Sequence, residues 1–236
     1  MDKQTFMKQA ALMQPTYSPS DQVKQQLAQV DLIITAGPTG VGKTTIMEHS
    51  GIPYITSNVT RQPRKDEQNG IDYIFRNDYD KLMQEIENGE YVQYIVHPNG
   101  EFYGTKASSY PATGPCTIAI VTSSIPLFYT LGFRRVELVY ILPPSYEEWM
   151  ARTKAHKDAD LHVRLVEAKR SIEEALSDSG YRFVINDDLL EARDAFLRIV
   201  RGEEADAASQ SRARDLALSL LSKIQTFQPG DVVSLL

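Results

Sequence analysis

Residues 37–44 read Gly-Pro-Thr-Gly-Val-Gly-Lys-Thr, and they lie between an apolar, β-branched run at 32–36 and a stretch with helical character from Lys43 to about His49. The octapeptide fits G-x-x-x-x-G-K-[ST], and its flanks supply the strand and helix between which that motif works. Glycines at 37, 40 and 42 let the backbone curl so that successive N–H groups point inward, and the following helix N-terminus adds partial positive charge. Such a loop cradles a polyphosphate. The residues placed to contact it are Gly37, Gly40, Gly42, Lys43, Thr44 and Thr45. Lys43 would reach the β- and γ-phosphates of the bound polyphosphate, and the Thr44 hydroxyl would ligate the accompanying Mg²⁺. The motif alone does not choose between kinase, GTPase and ATPase.

The remaining pattern alternates strands and helices. Further strands are predicted at 55–59, 73–75, 91–96, 117–121, 138–142 and 183–185, and helices at 78–88, 161–176 and 189–200. Ser145 opens another helix after Pro143 and Pro144, with Glu148 three residues on completing a capping-box pattern. Continuous apolar runs such as 117–121 and 138–142 suit a parallel sheet buried on both faces. The expected fold class is α/β, a parallel sheet with helices on both faces. Residues 1–30 are polar and read as a partly ordered extension, with a helix at 21–29 capped by Ser20. In the tail, 202–236, Leu216, Leu220, Leu221 and Ile224 share a helical face that docks on its own domain or, as a minority reading, on a second copy; monomer and homodimer both stay open.

Net charge is −6, which disfavours a polymeric nucleic-acid partner but leaves room for a small anion gathered by local cations. The single cysteine, Cys116, rules out an intrachain disulfide and reads as a small buried hydrophobe. No run approaches the ~20 apolar residues that span a bilayer, and the N-terminus has no leader-like pattern, so the expectation is a cytoplasmic protein without a membrane partner.

A second cluster of phosphate-binding residue types follows the loop. Arg61 and Arg64 flank Pro63, and Gly70-Ile-Asp-Tyr73 comes next. Two arginines offer planar forks to a second phosphate. Glu101-Phe-Tyr103-Gly-Thr105 then places a phenol and a hydroxyl beside a glycine, read here as a turn where a ligand approaches closely.

In this order, the motifs at 37–44, 60–64, 70–75, 103–105, 143–145 and 185–188 resemble the guanylate kinase family, over about residues 31–201. The resemblance implies an α/β core with an inserted acceptor-binding subdomain at 57–107 and a lid at 143–163. It implies transfer of the ATP γ-phosphoryl group to a nucleoside monophosphate, GMP or dGMP foremost. Arg61, Arg64, Tyr73 and Tyr103 would hold the acceptor phosphate, and Ser57 and Thr105 would face its base. Arg152 and Arg164 would be the catalytic arginines beside Lys43, and Asn186 would contact the donor adenine.

The sequence also departs from the family pattern. Gln93 stands where a base-reading glutamate is expected, and Thr122 stands where an aspartate is expected. Gln93 both donates and accepts, so it can pair with several bases. His156 replaces a second lid arginine, with Lys154 and Lys157 nearby, and Gly51-Ile-Pro53 shortens the helix after the loop. Two alternatives follow: the same fold acting on another base or on ribose 1,5-bisphosphate, and a non-catalytic binding module. The intact Lys43, Thr44 and Arg152 favour an enzyme.

Overall fold

The structure, a computed structural model, describes residues 1–65, 67–120, 124–154 and 161–226. The chain forms two compact units. The first comprises Met1–Leu32, Pro53–Ile118 and Leu127–Arg135, and the second Ile33–Ile52, Ala119–Pro126 and Val136–Leu236.

The expected parallel α/β sheet is present. Strands β1 (Val30–Ala36), β6 (Gly114–Ala119), β7 (Arg135–Leu142) and β8 (Tyr181–Ile185) form a four-stranded sheet in the order β6-β1-β7-β8. Every residue of β1 is buried, Asp31 and Thr35 included, around the apolar Leu32-Ile33-Ile34. Strands β7 and β8 pair in parallel from Leu138↔Tyr181 to Leu142↔Ile185. In the second unit, helix α3 (Lys43–Ser50) packs on α8 (Leu189–Val200), and α9 (Ala207–Thr226) packs on α7 (Leu161–Ser177) and β8. The α9 stripe is Ala213, Ala217, Leu220 and Ile224, so the tail face docks on its own unit, with Leu216 and Leu221 at its margins. Gln210 faces the backbone of β8: its Oε1 accepts from Phe183 N at 2.8 Å and its Nε2 donates to Phe183 O at 2.9 Å. This amide imitates a neighbouring strand where the sheet ends.

The first unit carries a second sheet, β3-β2-β5-β4, made of β2 (Asn58–Val59), β3 (Ile74–Phe75), β4 (Tyr91–His97) and β5 (Glu101–Lys106). The β4–β5 hairpin is antiparallel, with Gln93 opposite Thr105. Two expectations change here. The strand predicted at 55–59 narrows to Asn58–Val59, because Ile55 N and Thr117 N spend their hydrogen bonds on Thr117 O and Pro53 O in one isolated bridge. The segment 103–105, read as a turn, lies inside β5. Gly104 is required there by packing rather than by a ligand: a Cβ would sit 2.8 to 2.9 Å from Phe102, Tyr94 and Tyr91 atoms.

The N-terminal segment is also more ordered than its composition suggests. Helix α1 (Lys3–Met13), capped by Asp2, buries Phe6 and Ala10 completely against Leu82, Met83 and Ile86 of α4 (Tyr79–Glu87) and the aromatic face of the hairpin. Helix α2 (Asp21–Leu27) starts at the predicted Ser20 cap. A one-turn helix, α5 (Ile125–Phe128), comes next in the chain after β6. Helix α6 (Tyr146–Lys154) begins as expected, with Glu148 N donating to Ser145 Oγ at 3.1 Å.

Candidate active site

The phosphate loop is built from the end of β1 and the start of α3. Gly37, Gly40 and Gly42 have φ values of 139°, 83° and 88°, a left-handed region that a side chain would strain. At Gly37 a Cβ would run into the Ile141 carbonyl, and at Gly42 into the Asn186 amide. Three contacts fix the loop from outside. Trp149 Nε1 donates to Thr39 O at 2.9 Å, Asn186 Nδ2 donates to Val41 O at 2.7 Å, and the buried Thr153 stands beneath Gly40, 3.1 Å from where its Cβ would lie. Helix α3 has no side-chain cap on Gly42, which leaves its N-terminus to a ligand.

Lys43 turns back into the loop, where Nζ donates to Gly37 O at 2.7 Å and Pro38 O at 2.8 Å. Burial there pulls its ammonium down to about 8. Thr44 and Thr45 are exposed in the first turn of α3. The cradle fits a polyphosphate: its glycines leave no space for side chains, its lysine ammonium lies inside, and a hydroxyl at the helix start is open for a cation carried on phosphate oxygens.

Of the two arginines assigned to the transferring phosphoryl group, Arg152 donates from Nε to Glu148 Oε1 at 2.9 Å and from Nη1 to Asn186 O at 3.1 Å. It is thereby tied to the residue that holds Val41. Arg164, on α7, has a buried Nη1 with no hydrogen-bond partner. His156 and Lys157 lie outside the described residues, and so does Thr122.

In the first unit, Arg61 follows β2. Its fork is taken by Glu67, Nη1 to Oε2 at 2.5 Å and Nη2 to Oε1 at 2.6 Å, while its Cζ lies 4.7 Å from the Tyr73 ring centroid and 5.5 Å from that of Phe75. The Glu67 hydrogen bonds, reinforced by the charge of Glu67 and by the nearby Tyr73 and Tyr103 phenols, hold the guanidinium above its ordinary value. The same contact lowers the Glu67 carboxyl. Arg64 is exposed and gives its backbone N–H to Glu67 Oε2 at 2.8 Å. Tyr103 lies on β5 opposite Val59, two residues before Arg61, and its hydroxyl accepts from Asn99 Nδ2 at 3.3 Å. Ser57 is half-buried, and its carbonyl accepts from Ile74 N at 2.9 Å.

Gln93 reaches across the hairpin, Nε2 lying 3.5 Å from Thr105 Oγ1, and that hydroxyl bonds the buried Tyr110 Oη at 2.9 Å. Thr105 is fully buried, so its hydroxyl stands behind Gln93 in this arrangement.

Within one unit Lys43 and Asn186 both bond the loop backbone and Arg152 bonds Asn186, while Thr44 and Thr45 open α3; within the other, Tyr73 and Tyr103 lie near Arg61. Glu67, Trp149, Thr153 and Tyr110 were not among the predicted residues. Trp149, the only tryptophan in the chain, offered the one sequence signal: a single large aromatic in the helix after Pro143-Pro144-Ser145.

Known proteins give this geometry a family. The family model of guanylate kinase matches residues 29–112. The guanylate kinase of Malacoplasma penetrans is 30% identical over 182 residues, spanning 72% of this chain and 91% of that protein. The guanylate kinase of Thermotoga maritima is 29% identical over 186 residues, spanning 74% and 87%. A crystal structure of guanylate kinase from Anaplasma phagocytophilum superimposes with a TM-score of 0.52 at 25% identity, covering 80% of this chain and 94% of that one. A glycine-lined phosphate loop on a parallel sheet, an arginine–tyrosine cluster on a second sheet and relatives matched over most of their length converge on one assignment: the chain belongs to the guanylate kinase family.

Proposed function

We propose that this chain is a nucleoside monophosphate kinase that moves the γ-phosphoryl group of ATP onto GMP or dGMP. One observation carries the reading: a phosphate loop whose lysine ammonium already lies inside it shares the chain with Arg61, Tyr73 and Tyr103 gathered for a second phosphate. Relatives named guanylate kinase support the choice of guanine nucleotide.

Phosphoryl transfer asks for positioning and charge neutralisation more than covalent chemistry. On binding ATP, Lys43 exchanges the Gly37 and Pro38 carbonyls for β- and γ-phosphate oxygens. The Thr44 hydroxyl would hold a Mg²⁺ ion arriving with ATP, and that ion would supply neutralisation of the developing negative charge. Trp149, Thr153 and Asn186 keep the loop backbone in shape, so its N–H groups need no rearrangement as charge develops. Arg152 and Arg164 neutralise the transferring group. The orphan Arg164 Nη1 suits that duty, because a buried donor without a partner gains the most from an anion. At the other substrate, the doubly charged acceptor phosphate competes with Glu67 for the Arg61 fork, while Arg64, Tyr73 and Tyr103 complete the grip.

The test is ATP consumption by the purified chain with Mg²⁺ against GMP, dGMP, IMP, AMP, UMP, dTMP and ribose 1,5-bisphosphate. Turnover led by GMP or dGMP is expected. Turnover led by another member would redirect the acceptor reading to the Gln93 amide, and no turnover with any member would overturn the kinase reading.

A further inference from the structure

The segment ahead of β1 precedes the residues matched by the family model, which begin at 29. It is nevertheless built into the unit that carries the acceptor residues. Tyr94 Oη donates to Ala10 O at 3.0 Å, Val96 N donates to Gln14 Oε1 at 2.7 Å, Tyr17 Oη donates to Tyr91 O at 2.6 Å and Ser20 N donates to Gly89 O at 2.9 Å. Together with the buried Phe6 and Ala10, these bonds seat α1 on α4 and the β4–β5 hairpin.

At the start of α1 the contact becomes ionic. Lys3 Nζ donates to Glu101 Oε1 at 2.6 Å, and the other carboxylate oxygen, Oε2, accepts from Thr60 Oγ1 at 2.7 Å. The Thr60 hydroxyl in turn accepts from Phe102 N at 2.9 Å, and Thr60 N donates to Phe102 O at 3.3 Å. Both carboxylate oxygens and the Thr60 hydroxyl are therefore committed. Thr60 immediately precedes Arg61, and Glu101 lies two residues before Tyr103 on the strand that pairs with β2.

We infer that Lys3, Glu101 and Thr60 form a positioning relay through which the N-terminal helix sets Arg61 and Tyr103 for the acceptor phosphate. The inference rests on the kinase reading above. Two physical effects support it. The relay fixes the spacing between the strand that leads into Arg61 and the strand that carries Tyr103, and a phosphate grip is sensitive to displacements well under the size of an atom. Lys3 also neutralises a carboxylate that lies two residues from Tyr103 and is hydrogen-bonded to Thr60, the residue before Arg61. Left unpaired, that carboxylate would repel an arriving dianion. A helix that merely stabilised the unit would need neither the charge nor the bridge to Thr60, since Phe6 and Ala10 already anchor it.

The experiment compares the parent chain with Lys3→Ala, Lys3→Arg, Glu101→Gln and the Lys3→Ala/Glu101→Gln double variant. Each is assayed for KM toward its best monophosphate, KM toward ATP, kcat and thermal midpoint. For Lys3→Ala the monophosphate KM should rise by roughly five- to fiftyfold, below the ~10²-fold that a misplacement of 1 Å can cost. The KM for ATP should stay within about twofold of the parent, because the donor residues lie elsewhere in the chain. Lys3→Arg should restore the parent value. Glu101→Gln, which keeps an acceptor for Thr60 but no charge, should make the effect of Lys3→Ala largely disappear in the double variant. An unchanged monophosphate KM across the set, or both KM values drifting together with the thermal midpoint, overturns the relay while the kinase reading stands. A parent chain silent toward every monophosphate overturns both.

Discussion

Lys43 shows how much one side chain settles. Its ammonium is bonded to two carbonyls of its own loop, so removing it leaves two acceptors that water can serve and no apolar void. Lys43→Ala should therefore fold normally by circular dichroism and lose on the order of 10²–10³-fold in kcat, the scale of removing one preorganised electrostatic contact. Gln93 poses a different residue-scale question. The sequence resemblance leads one to expect an acid at this position, and a carboxylate there would accept only, matching the donors on the guanine edge. Gln93→Glu combined with Thr122→Asp should raise the ratio of kcat/KM for GMP over AMP by about tenfold or more, since an unmatched buried polar edge is heavily penalised. A competition assay with both monophosphates reads that ratio directly.

Among the elements, α1 was the least visible in the sequence and is among the most consequential in the fold. Only Phe6 and Ala10 of its eleven residues are fully buried, so its apolar stripe is too thin to announce a helix, and the partners that stabilise it lie some eighty residues away in α4 and β4. Phe6 packs its ring 5.6 Å from both Tyr79 and Phe102. Phe6→Ala should cost about 3–5 kcal/mol through lost burial and a cavity, read as a lowered urea midpoint. By contrast, the phosphate loop was legible because its glycines, lysine and flanking elements are local and each has its own physical reason. Helix α8 was legible for the same reason, its Asp188 cap and apolar period being contiguous. The contacts that complete the site are not local. Asn186 reaches Val41 across 145 residues, and Glu67 meets Arg61 only because the loop between them folds back. No period or motif encodes such pairs, and Asn186, read from the sequence as a base contact, is seen holding the loop itself.

For the molecule as a whole, charge placed in the sheet sets an acid limit. Asp31, on a fully buried strand, accepts from Arg134 Nε at 2.7 Å and Arg134 Nη2 at 2.8 Å, with Arg135 Nη2 at 3.3 Å. The Arg134 hydrogen bonds, reinforced by both positive charges, hold its carboxyl below the usual aspartate value. The sign follows from linkage. A lowered folded-state pKa gives stability that is fully present above the unfolded value of about 3.9 and is lost as pH falls through the folded value. Asp31→Asn should lower the urea midpoint at pH 7, and the gap to the parent should close as the medium is acidified below pH 4. An equal gap at pH 7 and pH 2 would mean that the carboxylate charge is not what Asp31 contributes. The last strand has a consequence of another kind. Gln210 imitates a neighbouring strand for Phe183, yet it lies 27 residues further along the chain. At a ribosomal pace of about 5–20 residues per second, β8 waits on the order of seconds for its cover. During each round of synthesis the nascent chain thus passes through an interval in which an adhesive edge is open to neighbouring polypeptides, and completion of α9 closes it.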